Sequence, residues 1–239
     1  MTRAHRRLAG LLAAGALAVS LFSATGCAQS VDPIGRLGRK AAAKVAPRTG
    51  AREAAARRWG LAGPLPPAPA PPARRPALPF VVDRVPLPDR QKVVFVTYDG
   101  AVRDPALQRM VHELKLPVST FASPSGHASD LRALPYEGQR AEICGRGVRP
   151  RLFRPPSGGY NADTLRAARA CGVRSLVLWR AAMSSRGDAL HYRSGARLRP
   201  GDIVLARCTG PGTPAARTAR MLRRIQEQGF TVGRLEDYV

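Results

Sequence analysis

Histidine is scarce in this chain: His5, His112, His127 and His191 are the only four among 239 residues, and no two of them stand four apart. Lysine is as rare. Lys40, Lys44, Lys92 and Lys115 are the only lysines among 39 basic residues, so the other 35 are arginine, and 16 acids leave a formal net charge of +23. So basic a chain has the electrostatic footprint of a nucleic-acid ligand, because arginine and lysine neutralise phosphates. The composition gives a plainer account. Arginine, alanine, glycine and proline are abundant together, as GC-rich coding sequences produce, and nucleic acid is not an expected partner. Long apolar runs are also missing. The run from Leu8 to Phe22 is the longest and is too short to span a bilayer, so the chain contains no membrane-spanning helix by hydropathy.

That short run has another meaning. Arg3, Arg6 and Arg7 precede it, the layout of an export signal, and it ends at Ala24-Thr25-Gly26-Cys27. The ending resembles the lipobox of bacterial lipoproteins. We therefore expect a lipoprotein signal peptide over 1–26, a mature chain starting at lipid-carrying Cys27, and an extracytoplasmic location on the membrane's outer face. An ordinary secretory signal with an incidental cysteine is the alternative. Cell wall and anionic lipid are then the nearby surfaces. Beyond Cys27 stand Cys144, Cys171 and Cys208, an odd number. In an oxidising compartment they form at most one intrachain bridge, for which Cys144 with Cys171 is the preferred pair, or all three are small buried side chains.

The segment 27–89 reads as a basic, proline-rich, disordered stalk. A short helix over 51–59 has little apolar face to bury, and Pro64 to Pro88 holds ten of the chain's 22 prolines, which favours extended conformations. A folded domain is expected over 90–239, long enough for one core. Its pattern alternates strand and helix. Strands are expected over 92–98, 117–121, 173–179, 202–206 and 230–232. Helices are expected from Asp104 to Lys115, from Asn161 or Asp163 to Cys171, and from Thr213 to Gly229. Such alternation implies parallel strands covered by helices, an α/β barrel or a doubly wound sheet.

Four segments carry a resemblance. Lys92-Val93-Val94-Phe95-Val96-Thr97-Tyr98-Asp99-Gly100, then Arg154-Pro155-Pro156-Ser157-Gly158, then Leu178-Trp179, then Ile203-Val204-Leu205-Ala206 resemble, in this order, the polysaccharide deacetylases of carbohydrate esterase family four. The resemblance implies an α/β fold, a distorted (β/α) barrel, here shortened. It also implies a hydrolase that removes acetyl groups from N-acetylglucosamine-containing glycans. In the family a divalent metal, usually zinc, is held by one Asp and two His, a second Asp acts as base, an Arg orients it, and a late His protonates the leaving amine. By that resemblance Asp99 and Arg154 are the catalytic positions, and Pro156, Gly158, Tyr160 and Trp179 are substrate-binding positions.

The departures fall on the charged residues. Thr97-Tyr98-Asp99-Gly100 has one acid where the family has two, no histidine pair has the family's spacing, the interval 121–149 is short, and Arg207 follows Leu205-Ala206 where the acid His belongs. His127 alone sits in a loop near the end of the second strand, and one carboxylate does not hold zinc against water. The expectation is therefore a deacetylase-like frame with no metal or other cofactor and with vestigial Asp99 and Arg154, binding cell-wall or extracellular glycan. The alternatives are weak deacetylation or a non-catalytic glycan-binding pseudoenzyme.

Overall fold

The computed structural model describes residues 50–73, 77–121, 130–145, 150–184, 187, 189–207 and 212–239, which belong to one compact unit. Residues 1–49, with Cys27, and also His127 and Cys208 lie outside the described residues. Along the chain run α1 (50–58), β1 (Val81–Val82), β2 (Val93–Asp99), α2 (Pro105–Glu113), β3 (Ser119–Phe121), α3 (Tyr136–Cys144) and β4 (Leu152–Phe153). There follow α4 (Ala162–Ala170), β5 (Ser175–Val177), β6 (Ala181–Met183), β7 (Leu190–Tyr192), β8 (Ile203–Ala206), α5 (Pro214–Glu227), β9 (Thr231–Gly233) and α6 (Leu235–Tyr238). The helix starts are capped as their sequences imply. Asp104 accepts from Leu107 N, Asn161 and Thr164 form a reciprocal capping box, and Thr213 accepts from Ala216 N.

β2 is the axis of the fold. It pairs in parallel with β8 on one side. On the other it pairs with β9 along its first half and β3 along its second. β6 continues the sheet beyond β8, with β7 antiparallel on its edge, and β1, β5 and β4 form a second parallel group. The chain after β1 joins the groups: Val85 N donates to Gly201 O at 2.9 Å and Ile203 N to Asp83 O at 3.2 Å. Glycine is required at 201, because its φ is +82° and a Cβ there would lie 1.8 Å from Val85 O.

Strand alternation sorts β2 into two faces. Val93 and Phe95 turn inward with Val177, Ile203 and Leu205, whereas Val94, Val96 and Tyr98 turn outward against Leu107, Met110, Met221 and Leu222 of α2 and α5. A third cluster packs α3 and α4 on β4 and β5 through Ile143, Ala167, Phe153 and Leu176. Cys144 and Cys171 form a disulfide there, with Cα atoms 5.0 Å apart, and buried Gln139 accepts from Thr164 Oγ1 and donates to Leu134 O.

The result is a distorted, shortened barrel of the polysaccharide deacetylase type. Among the described residues no strand stands between β3 and β4, and α6 occupies the seam. Ser119 of β3 donates to Glu236 at 2.6 Å and accepts from Leu235 N. Leu235 and Tyr238 are buried, the Tyr238 ring meets Phe95 edge-on at 5.0 Å, and Leu152 of β4 packs against the same cluster. A cleft of about 390 Å³ remains beside it, lined by Leu152, Arg151, Ser175, Glu236 and Val239.

The expected stalk needs correction. From residue 50 onward the described part of 27–89 packs on the barrel. Ala55, Ala56, Leu61 and Leu65 are buried, and Trp59 Nε1 donates to Glu113 at 2.9 Å. The proline stretch has few backbone donors, but its carbonyls accept. Gln226 binds Gly63 O, Thr231 binds Pro66 O and Tyr238 binds Pro69 O. The prolines read as an extended, disordered stalk in the sequence, whereas they stiffen a strap that side chains of α5, β9 and α6 hold. Burying Leu61 and Leu65 contributes about 2 kcal/mol each.

Candidate functional site

Asp99 ends β2, and the chain turns away at once because Gly100 N donates to Phe121 O at 2.7 Å. Its carboxylate stands at the carboxyl end of the barrel, with the side chain 48% exposed. Arg154 follows β4 and alternation points it inward, since Phe153 faces α3 and α4. Its side chain is 1% exposed and spans the top of the seam. Nη1 donates to Asp99 Oδ1 at 3.1 Å, Nη2 to Thr97 Oγ1 at 2.9 Å and to Leu178 O at 3.3 Å, and Nε to Val177 O at 3.2 Å. Thr97 Oγ1 donates its own hydrogen bond to Val204 O at 3.1 Å, which leaves its lone pairs free to accept. Phe121 covers the guanidinium face at 4.2 Å. Burial pushes the Arg154 guanidinium down from its ordinary value, and the charge and hydrogen bond of Asp99 oppose that shift.

The loop after Arg154 is shaped by its backbone. Pro155 and Pro156 fix an extended entry into a turn of 3-10 helix over Pro156–Gly158, in which Ser157 has φ 56° and Gly158 has φ +71°. A Cβ on Gly158 would lie 2.8 Å from Trp179 Cη2, so only glycine lets the loop rest on the indole. Asn161 caps α4 and pins the exit of the loop.

The structure brings Asp99, Arg154, Gly158 and Trp179 together and leaves Tyr160 on the outer side. Trp179, expected as a substrate-binding position, is 7% exposed, because Gly158 and the guanidinium groups of Arg154, Arg193 and Arg207 surround it, the three guanidinium groups at 5.6, 5.3 and 6.0 Å. Gly158 is buried under the same packing, Pro156 is half-buried, and Tyr160 is 37% exposed. Of the expected contact residues Tyr160 is the one open to a ligand. Thr97 was legible in retrospect: it stands two before Asp99 on one face of one strand. Arg193 was not, since it lies just past the β6–β7 hairpin, where no apolar periodicity marked a strand.

A divalent metal, which the fold family implies, does not fit these residues. Among the described residues no group of three or more His, Cys, Asp or Glu side chains is placed to hold an ion. Asp99 is already engaged by Arg154, and His112 and His191 are exposed on α2 and β7. The described side chains can hold Asp99 in one orientation and present positive charge. They offer no carboxylate or imidazole pair for moving a proton onto or off a reacting group.

Comparison with known proteins agrees at the level of fold. No family model matches the chain. A family 4 carbohydrate esterase from Bacillus anthracis superposes with TM-score 0.50 at 17% identity, over 66% of this chain and 86% of that one. A peptidoglycan N-acetylglucosamine deacetylase also superposes with TM-score 0.50, at 13% identity over 63% and 89% of the two chains. The fold is that of the family 4 carbohydrate esterases. In sequence the chain is 45% identical over 196 residues to an uncharacterized protein of Streptomyces coelicolor, covering 68% of this chain and 78% of the other, and it belongs to the same family as that protein.

Proposed function

We propose that this protein is an extracytoplasmic glycan-binding protein, held to the membrane by lipid on Cys27, that keeps the deacetylase frame without the deacetylase chemistry. The observation that carries the proposal is the engagement of Asp99. Its carboxylate is tied to a buried arginine that is also bonded to Thr97, Val177 O and Leu178 O. A carboxylate so held serves as a structural counter-charge, and no second described acid or imidazole completes a metal site. The ligand class, N-acetylated cell-wall or extracellular glycan, rests on the family resemblance of the motifs and on the expected export.

Three experiments test this. Full-length protein is incubated with N-acetylglucosamine oligomers and with peptidoglycan, with zinc, cobalt or chelator, while acetate release is measured. Sedimentation with insoluble peptidoglycan and chitin measures binding. Binding without acetate release is the expected result. Metal-dependent release would overturn the proposal and direct attention to Asp99 and His127 as variants to test. Mass spectrometry of the mature amino terminus tests the anchor, and an unmodified Cys27 sinks that part alone.

A further inference from the structure

We infer that the carboxyl end of the barrel is an anion site, and that the glycan bound there carries its negative charge into the space beside Arg193 and Arg207. This rests on the glycan-binding reading and specifies its ligand. Three guanidinium groups, those of Arg154, Arg193 and Arg207, meet around the Trp179 ring, and one carboxylate, Asp99, accompanies them. Arg154 and Asp99 neutralise each other. Arg193 and Arg207 are exposed, and among the described residues neither has an acidic partner or a side-chain hydrogen bond. The local balance is two uncompensated positive charges at the carboxyl end of the barrel, beside a buried arginine that is fixed.

Position strengthens the assignment. Arg207 follows β8 directly, one residue past the registered pair Tyr98–Ala206, so Arg207 and Asp99 stand at one level of adjacent strands. Arg193 approaches the same indole 5.3 Å from its centroid, with Nη1 3.6 Å from where a Cβ of Gly158 would sit. The aromatic plane behind both groups limits where they can go and reduces the ordering cost when an anion arrives. A guanidinium is a planar fork that matches the two oxygens of a carboxylate or phosphate. Thus a metal-binding frame that attracts the neutral acetamido group has, in this chain, become a cationic rim suited to an acidic substituent on a sugar.

The test is calorimetric titration of the full-length protein with a neutral N-acetylglucosamine oligomer, with a hyaluronan oligomer of equal length that alternates N-acetylglucosamine and glucuronate, and with inorganic phosphate. The acidic oligomer is expected to bind at least tenfold tighter than the neutral one. Added salt narrows the gap because the groups are solvent-exposed. Arg193→Gln with Arg207→Gln is expected to close the gap, and Arg193→Lys with Arg207→Lys to restore part of it. Arg90→Gln, an exposed change at the other end of the barrel, is the control for diffuse attraction to so basic a chain and leaves the gap unchanged. Equal affinity for both oligomers overturns the anion site while the glycan reading stands. Phosphate binding that the double Gln variant abolishes, with no oligomer bound, keeps the anion site and ends the glycan reading. An undiminished gap in a folded double Gln variant, or a gap that Arg90→Gln also closes, overturns the assignment to Arg193 and Arg207.

Discussion

The two ends of the barrel are built from opposite materials. At the amino end apolar side chains meet and the chain closes on itself: Val93, Phe95, Leu235 and Tyr238 form one cluster, and the proline strap crosses it with its carbonyls bound. At the carboxyl end charged groups meet around one indole, and closure depends on a single buried arginine. In (β/α) barrels the carboxyl end carries chemistry and the amino end carries stability. Here that division is blurred, because Arg154, at the chemical end, is part of what holds the strands together.

The largest effect should come from Arg154→Met. It leaves the Val177 and Leu178 carbonyls and the Asp99 carboxylate without this donor and removes the bridge between β2 and β4, at a cost of about 4 kcal/mol in the unfolding free energy read by urea denaturation. Asp99→Asn tests the same ion pair from its exposed side and should cost under about 1 kcal/mol, since Arg154 keeps its other three partners. If the two variants melt alike, Arg154 is not the keystone described. Next comes the amino side, where α4 turns into β5. Cys144→Ser with Cys171→Ser opens a link spanning 27 residues and should cost about 3.5 kcal/mol by loop entropy, read as a fall in melting temperature against the oxidised protein.

A smaller effect is expected from Gly158→Ala, about 1.5 kcal/mol, because the new methyl group meets Trp179 and positive φ is strained for alanine. Its indole fluorescence should shift along with the loss of stability, and an unshifted spectrum would place the loop elsewhere. The smallest concerns Asp130, whose carboxyl is held below its usual range by its side-chain hydrogen bond with Arg132. A depressed folded value means that its contribution is present above the unfolded value near 3.8 and is lost as pH falls through the folded one. Asp130→Asn should therefore lower stability slightly at neutral pH, leave it unchanged below the folded value, and so flatten the acid limb of a stability–pH curve.

Much of the frame was legible because it is local. The β-branched run ending at Asp99, the caps at Asp104, Asn161 and Thr213, and the glycine ending α5 each state their structure within a few residues. The Asp99–Arg154 contact was legible through family motifs, not through spacing. What escaped was set by distant partners. α6 offers four residues whose role depends on a gap between β3 and β4, and β1 is two valines that matter because β5 lies beside them. The strap from residue 61 to 69 reads as disordered until the groups that receive its carbonyls, at Gln226, Thr231 and Tyr238, are in place.

Those partners stand 163, 165 and 169 residues further along the chain, which makes the strap a matter of time as well as space. The side chains that bind the carbonyls of Gly63, Pro66 and Pro69 are made only with α5, β9 and α6, and contacts so far apart in sequence are slow to form because the loop must close first. Full docking of the strap is therefore expected to come late in folding, a clasp fastened after the barrel has shape. The two tryptophans, Trp59 beside the strap and Trp179 inside the carboxyl end, would report the order in stopped-flow refolding of single-tryptophan variants, with Trp179 reaching its final emission first.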